Sequence, residues 1–450
     1  MHADEANQAV KLGQLIEHGD YRFDPTDHHG PTLYYFAQLQ AWIGQKKSLA
    51  HLTESDVRMV PAIFGTLGLL LLWLIAHPLG RGTAFWAGLL LALSPPAIYY
   101  SRYFIQETLL VTFTLLAWWG GANWMRSSKW SWAVVTGIGV GLMLATKATG
   151  AICVLLSLAA VVVAGRGGRL GGLLRNWRAV LGMGVATLIV AVSFYSSWGR
   201  NWDGVIDALA TFSPMGTRVF AGTSGHEKPW WYYGNLFVFH RTGGYGWSQT
   251  VFLLLAVMGG LGARWGGSRG VRALAIYVGL FAITVSLVPY KTPWIVINLV
   301  PGLCVLAGSA LARWRWPLVV LAGGCVVVEL GWQARQAVFL RPADPRNPYA
   351  YQHTAPDMVK LSGLVAAAPA GAVKVIGREY WPIPWYLRVR PEVGYWSDVP
   401  ADCDGVLVIV GADQADAVQA RFRNRYRKEM LGLRPGLVMV IFTLEASISP

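Results

Sequence analysis

Long apolar stretches separated by short basic turns dominate the chain. Windows of roughly 17–20 apolar residues read as membrane helices, and they fall near 59–77, 83–100, 104–122, 132–147, 149–164, 179–197, 248–263, 273–289, 293–310 and 316–333. The apolar block 132–164 is too long for one span at about 1.5 Å per residue, so the pattern predicts a hairpin turning at Lys147. Ahead of the first span, Ala6, Val10, Leu12, Leu15 and Ile16 recur at near-helical spacing. They predict a short amphipathic helix over residues 4–18, lying on a membrane surface and ended by Gly19-Asp20. Beyond residue 335 the pattern changes. Candidate strands at 373–377, 405–411 and 436–443 alternate with helical stretches near 354–368 and 412–430, which predicts a small α/β fold.

Composition agrees with the pattern. Hydrophobic residues make up 54% of the chain and charged residues 14%, against about a quarter charged in soluble domains. Arg81; Arg126 and Lys129; Arg166, Arg169, Arg175 and Arg178; Arg264, Arg269 and Arg272; and Arg313 and Arg315 occupy alternate loops that contain no Asp or Glu. The positive-inside rule puts those loops in the cytoplasm. Three parts follow: an extracytoplasmic first loop, 1–57, with the amphipathic helix and an acidic motif; a transmembrane domain, 58–334, of about ten helices with a long external loop 198–247; and a C-terminal extracytoplasmic α/β domain, 335–450. The fold class is a polytopic α-helical membrane protein with a small appended α/β domain. An external segment at the start, with no span before it, leads us to expect a further helix upstream.

The net charge of +14 arises largely from those loops: without their basic residues, Lys and Arg nearly balance Asp and Glu. A nucleic-acid partner is not needed to explain the charge, and membrane lipids are the expected partners of the basic inner face. Cys153, Cys304, Cys325 and Cys403 have no spacing that suggests a disulfide framework or zinc, and read as packing residues. Gly137-Ile138-Gly139-Val140-Gly141 lies inside an apolar span without a preceding strand, so it predicts close helix packing rather than a dinucleotide loop.

Candidate chemistry concentrates in the outer turns. Arg102, Lys147 and Lys291 are basic residues on the face that the topology otherwise leaves poor in charge. Singly each could snorkel; together they suit an anion, with Arg as a planar fork and Lys as a point charge for phosphate. Glu107 could instead neutralise one of them. Asp4-Glu5 is either a pair of helix-dipole partners or a general base beside an acidic neighbour. His226, Glu227, Lys228, Trp230, Trp231, Tyr232 and Tyr233 could form a wall facing a sugar, phosphate or lipid chain, and otherwise anchor the loop at the interface. His28, His29 and His226 could hold a divalent ion with the carboxylates, but their spacing is not diagnostic, so a metal site is not expected and no cofactor is assigned. Trp381 to Arg388 could touch lipid or sugar, or simply pack between strand and helix.

Asp4-Glu5, Ser101-Arg102-Tyr103-Phe104, Leu144-Ala145-Thr146-Lys147 and His226-x-Lys228-Pro229-Trp230 resemble the polytopic glycosyltransferase-C superfamily. In motif style they are similar to its protein O-mannosyltransferase and aminoarabinose-transferase branches. Asp24-Pro25 with His29-Gly30-Pro31-x-Leu33-Tyr34-Tyr35, Tyr290-Lys291-Thr292-Pro293-Trp294 and Trp381-Pro382-x-Pro384-Trp385-Tyr386-Leu387-Arg388 look more narrowly like the flippase-activity-associated membrane family. The resemblance implies an enzyme that takes a sugar from a polyprenyl-phosphate carrier on the outer face of the cytoplasmic (inner) membrane. The acceptor would be a glycan, lipid or protein. By matching motif positions, Asp4 would be the general base of an inverting transfer and Glu5 its neighbour, with Arg102, Lys147 and Lys291 holding the donor phosphate. His29, His226, Lys228, Trp230, Tyr232 and Trp294 would contact sugar, acceptor or lipid. The alternative is a non-catalytic component that assists lipid-linked sugar translocation. A proton-coupled transporter ranks third: Glu329 lies within the last span, and the sequence offers it no convincing partner.

Overall fold

The computed structural model describes residues 1–19, 21–25, 29–165, 176–211, 226–264 and 268–445. The chain forms two compact units. One comprises Met1–Gly19, Ala41–Val57 and Ala343–Pro450, the other Asp20–Gln40 and Arg58–Pro342.

The second unit is built from apolar helices. Glu54–Leu79, Trp177–Tyr195, Arg269–Leu287 and Trp316–Leu340 are long and apolar enough to cross a membrane. Arg81–Leu93, Trp130–Leu144, Thr149–Ala164, Thr250–Ala263 and Val300–Leu311 are shorter apolar helices. Their outward faces carry Leu70, Leu155, Leu188, Ile189 and Val328, each more than half exposed. Such faces suit lipid rather than water, and the chain is a multi-pass membrane protein. Inside, small residues let backbones approach. A Cβ added at Gly137 would lie 2.2 Å from the Met183 carbonyl oxygen, and one at Gly141 2.7 Å from that of Thr187. The glycine-rich stretch is therefore a helix-packing surface. The hairpin in 132–164 turns at the expected place, between Trp130–Leu144 and Thr149–Ala164.

Two expected spans are discontinuous. The span at 83–100 divides into Arg81–Leu93 and Pro95–Tyr100, because Pro95 and Pro96 bring no N–H for the preceding turn and Pro suits the first helical positions. The span at 293–310 begins as a 3-10 turn, Pro293–Asn298, and resumes as Val300–Leu311, with Pro301 at its start. A short hairpin, β1 (His240–Thr242) and β2 (Tyr245–Trp247), turns through Gly243 and Gly244 at φ 54° and 86°.

Glu329 does have partners. Its Oε1 accepts from Ser248 Oγ at 3.0 Å and from Val251 N–H at 3.1 Å, and its Oε2 from Phe252 N–H at 3.1 Å. The carboxylate thus satisfies the orphan donors at the start of the Thr250–Arg264 helix, where the helix dipole also favours negative charge. Hydrogen bonds to a charged group contribute about 1.5–3 kcal/mol each. Glu329→Ala is therefore expected to destabilise the detergent-solubilised protein by roughly 2–3 kcal/mol, and Glu329→Gln by less, because the amide keeps one acceptor oxygen. A thermal midpoint unmoved by Glu329→Ala would refute the capping role.

In the first unit, Ala3–His18 forms the expected helix, and Gly19 closes it in the left-handed conformation at φ 66°; its apolar face does not lie on a membrane surface as expected, because Ala6, Ala9, Leu12 and Leu15 are buried within the protein. The tail folds as a mixed sheet of β3 (Val373–Ile376), β4 (Val393–Trp396), β5 (Leu407–Gly411), β6 (Tyr426–Arg434) and β7 (Leu437–Leu444), in the order β4-β3-β5-β7-β6. β3 is parallel to β4 and β5, while β7 is antiparallel to β5 and β6. Ile376, Val408, Val410, Val440 and Phe442 form its core. The helix expected over 412–430 is a correction. Only Ala415–Gln419 is helical, and Tyr426–Arg434 is an edge strand whose ladder with β7 outweighs the helix-like charge pattern. Strand β4 has no counterpart in the sequence reading. Within the Trp381 to Arg388 stretch, Ile383, Trp385, Tyr386 and Leu387 are buried, so that part packs. The Arg388 guanidinium lies 4.1 Å from the Trp385 ring centre and donates to the Leu52 carbonyl at 3.1 Å.

Candidate functional site

In the helical unit, three turns gather around the start of the Glu107–Ser127 helix. The first, residues 101–106, leads directly into it and carries Arg102. Thr108 Oγ1 donates back to the Tyr100 carbonyl at 3.1 Å. Arg102 Nη1 donates to the Val338 carbonyl at 2.7 Å, and its guanidinium lies 5.6 Å from the Phe339 ring centre.

The second turn holds Lys147. His29 and Lys147 form an isolated antiparallel bridge, Gly30 N–H donates to the Thr146 carbonyl at 2.9 Å, and the Thr32 and Thr146 hydroxyls meet at 2.8 Å. Gly30 permits this docking: a Cβ there would lie 2.1 Å from the Ala145 carbonyl oxygen. Lys147 Nζ pairs with Glu107 Oε1, and both side chains are largely withdrawn from solvent. Of the alternatives open for Glu107, this is the one realised: it balances Lys147, forty positions along the chain.

The third turn holds Lys291. Lys228 N–H donates to the Pro289 carbonyl and Lys291 N–H to the His226 carbonyl, each at 3.1 Å, with Glu227 bridged to Tyr290 between them. The His226 and Tyr290 rings lie 5.0 Å apart, and the Tyr233 hydroxyl donates to the Thr292 carbonyl at 3.1 Å. Trp294 packs edge-on to Tyr100 at 6.4 Å, which ties this turn to that of Arg102. Lys291 is 1% exposed. Its ammonium donates to the Val288 carbonyl, and burial lowers its pKa below the usual lysine value. Among the described residues, neither Arg102 nor Lys291 forms an ion pair with a carboxylate. Trp230 is 68% exposed, its ring edge-on to Trp231, and Tyr232 opens the short helix Tyr232–Phe237.

Beside Arg102 lies an apolar cavity of about 220 Å³, lined by Gly65, Leu69, Ile98, Arg102, Val111 and Leu115 among others. From Thr108 to Leu115, both in its wall, is about 10 Å along the helix. It is an apolar trench with one guanidinium in its wall.

The acidic pair belongs to the other unit. His2 caps Ala3–His18: its Nδ1 accepts from Asp4 N–H at 3.1 Å, and Glu5 Oε2 accepts from His2 N–H at 3.0 Å. Glu5 is buried, whereas the Asp4 side chain is about half exposed (48%) and its Oδ2 stands 3.9 Å from His2 Nδ1. The two carboxylates are thus distinct in environment. His2 Nε2 meets the Tyr351 carbonyl at 2.8 Å, and its ring lies 5.0 Å from that of His353. Burial and His2 push the His353 pKa down to about 3, so His353 is neutral. The sequence assigned no role to His2, which opens the acidic motif, or to His353. Among the described residues no group of three His, Cys, Asp or Glu side chains is placed to hold a metal ion; His28 lies outside them.

Residues 28–198 match the family described as dolichyl-phosphate-mannose-protein mannosyltransferase. A sequence search among curated proteins finds no match. By structure, the chain is similar to ArnT from Cupriavidus metallidurans bound to undecaprenyl phosphate, with 14% identity, 99% of this chain and 94% of that chain covered, and a TM-score of 0.67. It is also similar to the archaeal oligosaccharyltransferase AglB from Archaeoglobus fulgidus, in complex with an inhibitory peptide and a dolichol-phosphate. There the identity is 13%, the coverage 92% of this chain and 66% of that chain, and the TM-score 0.52. At such identities the likeness is one of fold.

Proposed function

We propose that this multi-pass membrane protein of the glycosyltransferase-C fold transfers a sugar from a polyprenyl-phosphate donor to an acceptor on the extracytoplasmic side of the cytoplasmic membrane. The reading is carried by an apolar trench with Arg102 in its wall and Lys291 on a neighbouring turn, two cations that meet no carboxylate among the described residues. A buried ammonium without a counter-ion is costly, and a phosphate offers Lys291 and Arg102 the charge they lack. The trench suits an apolar chain attached to that phosphate. Lys147 is already balanced by Glu107 and would have to share its charge to contact the donor. The likeness to ArnT over nearly the whole chain and the family match over 28–198 support the same donor chemistry. The acidic first loop, the Lys291 turn and the C-terminal unit lie outside, by the charge of the alternate loops.

The reaction is an inverting displacement. The acceptor oxygen gives its proton to the Asp4 carboxylate and bonds to the anomeric carbon. The bond from that carbon to the phosphate oxygen breaks, and its electron pair leaves with polyprenyl phosphate. Arg102 and Lys291 stabilise the growing charge on that oxygen. Glu5 is a positioning residue, one of whose oxygens holds the cap that orients Asp4. His29, His226, Lys228, Trp230, Tyr232 and Trp294 supply the surrounding wall.

The test is transfer from a radiolabelled polyprenyl-phosphate sugar in membranes carrying the protein or Asp4→Asn. A general base contributes about 10²–10⁴-fold, so Asp4→Asn should lose that much transfer while still binding the lipid. Full activity in Asp4→Asn would remove Asp4 as the base. Lipid binding without transfer by the unaltered protein would favour a component that assists translocation of lipid-linked sugars.

A further inference from the structure

The last apolar span, Trp316–Leu340, does not finish as an α-helix. Its end, Arg335–Leu340, is a π turn, and the Arg341 N–H donates to the Gln336 carbonyl at 2.9 Å, five positions back. Pro342 follows. In an α-helix the Val338 carbonyl would be taken by the N–H four positions on, and the residue there is a proline, which has none. The side chain of Arg102 supplies the donor instead, with its Nη1 2.7 Å from the Val338 carbonyl oxygen. Tyr99 fastens the same stretch: its hydroxyl donates to the Pro342 carbonyl at 2.5 Å. The Tyr99 ring is 2% exposed and stacks on Tyr103 at 5.1 Å and 30°, so this fastening has a firm base.

These contacts bear on Arg102 because Arg102 is exposed. An exposed arginine ordinarily samples many rotamers and loses that freedom when it binds. Here one Nη1 N–H is already committed to the Val338 carbonyl, and the guanidinium lies over the Phe339 ring, 5.6 Å from its centre. Phe339 is 70% exposed, so its ring adds little to the core. Among the described residues no other protein group hydrogen-bonds the guanidinium. The Nε–Nη2 edge therefore keeps its parallel pair of N–H groups, the fork that meets two phosphate oxygens. Arg102 also stands in the wall of the apolar trench. A guanidinium tethered at one end, with its fork free beside a trench, is preorganised for a phosphate that ends an apolar chain.

We propose that Pro342 and Phe339 are positioning residues for the donor phosphate and act through Arg102. Pro342 acts by the N–H it lacks. With an N–H at position 342 the Val338 carbonyl would close an ordinary helical bond, and Arg102 would lose its tether. Phe339 covers one face of the guanidinium and limits its swing. This role rests on the proposed donor-phosphate reading of Arg102.

The test measures how the full chain in detergent binds radiolabelled undecaprenyl phosphate and undecaprenol, which lacks the phosphate. Pro342→Ala should weaken undecaprenyl phosphate about tenfold, and Phe339→Leu, which leaves the backbone as it is, about threefold. Undecaprenol binding should be unchanged in both. In an Arg102→Ala chain neither substitution should weaken undecaprenyl phosphate further. A substitution that merely loosened the trench would weaken both ligands, with or without Arg102. Undiminished undecaprenyl phosphate binding in both variants, equal loss of the two ligands, or a further loss in the Arg102→Ala chain would overturn the positioning role. The two readings fail separately. If Arg102→Ala weakens undecaprenyl phosphate while Pro342→Ala and Phe339→Leu do not, only the positioning role falls. If Arg102→Ala binds it as tightly as the unaltered chain, the donor-phosphate reading of Arg102 falls, and the positioning role with it.

Discussion

Lys291→Met should weaken binding of polyprenyl phosphate by about 10–100-fold, while the ligand-free protein unfolds no more easily than the unaltered one. The affinity estimate takes one charge-assisted hydrogen bond at about 1.5–3 kcal/mol, with each 1.4 kcal/mol worth roughly tenfold. Lys291 is 1% exposed, and its ammonium is held by the Val288 carbonyl. An apolar side chain of similar length removes a desolvation cost and leaves only a carbonyl to rearrange. Activity and stability should therefore separate. A parallel loss of both would mean that Lys291 serves the fold alone. The charge also sets a pH signature. Burial lowers the Lys291 pKa, so the free protein loses this proton at a pH below that of an ordinary lysine. Donor binding requires the protonated form and declines as pH rises through the lowered value. Lys291→Met should lack that alkaline limb, whereas Arg102→Lys should retain it; an unchanged limb in Lys291→Met would assign the titration elsewhere.

Lys147→Met is expected to produce the largest loss of stability in the helical unit, about 3–5 kcal/mol, the cost of leaving a buried carboxylate without its partner. Glu107 is the group left stranded: its side chain is 3% accessible, and the Lys147 ammonium is its ion-pair partner. Adding Glu107→Gln in the same chain should restore most of the loss, because an amide carries no charge to strand. A double-mutant cycle on thermal unfolding in detergent measures the coupling. Additive losses would show that the two groups do not depend on one another. Donor binding by the double variant decides a second question. If binding persists there, Lys147 serves chiefly to hold Glu107 and the His29–Gly30 loop docked on its turn. If it falls with stability restored, the phosphate shares Lys147 with Glu107.

These expectations lean on features that differ in how far the sequence displayed them. Arg102, Lys147 and Lys291 were visible because charge at the end of an apolar span is unusual. The partner of Glu107 was not visible, since nothing local distinguishes Arg102, five positions away, from Lys147, forty positions away. Glu329 illustrates the same limit. Its acceptors are filled by a hydroxyl and two backbone N–H groups some eighty positions earlier, and backbone donors leave no mark on a residue pattern. In the acidic motif the order of residues gave a helix start with carboxylates in its first turn. Only the folded cap separates Asp4, about half exposed, from Glu5, which is buried and bonded.

The sequence by itself determined the apolar helices, the hairpin at Lys147, the amphipathic helix ending at Gly19 and the strands β3, β5 and β7. Each is encoded by a local period or by a residue with few backbone options. The tertiary structure alone decided that Tyr426–Arg434 is a strand and that β4 closes the other edge of the sheet. It also fixed which of these cations keep a carboxylate among the described residues and which do not. A strand's hydrogen bonds and a buried charge's counter-ion come from residues distant in the chain, so their energies appear only once the chain has folded.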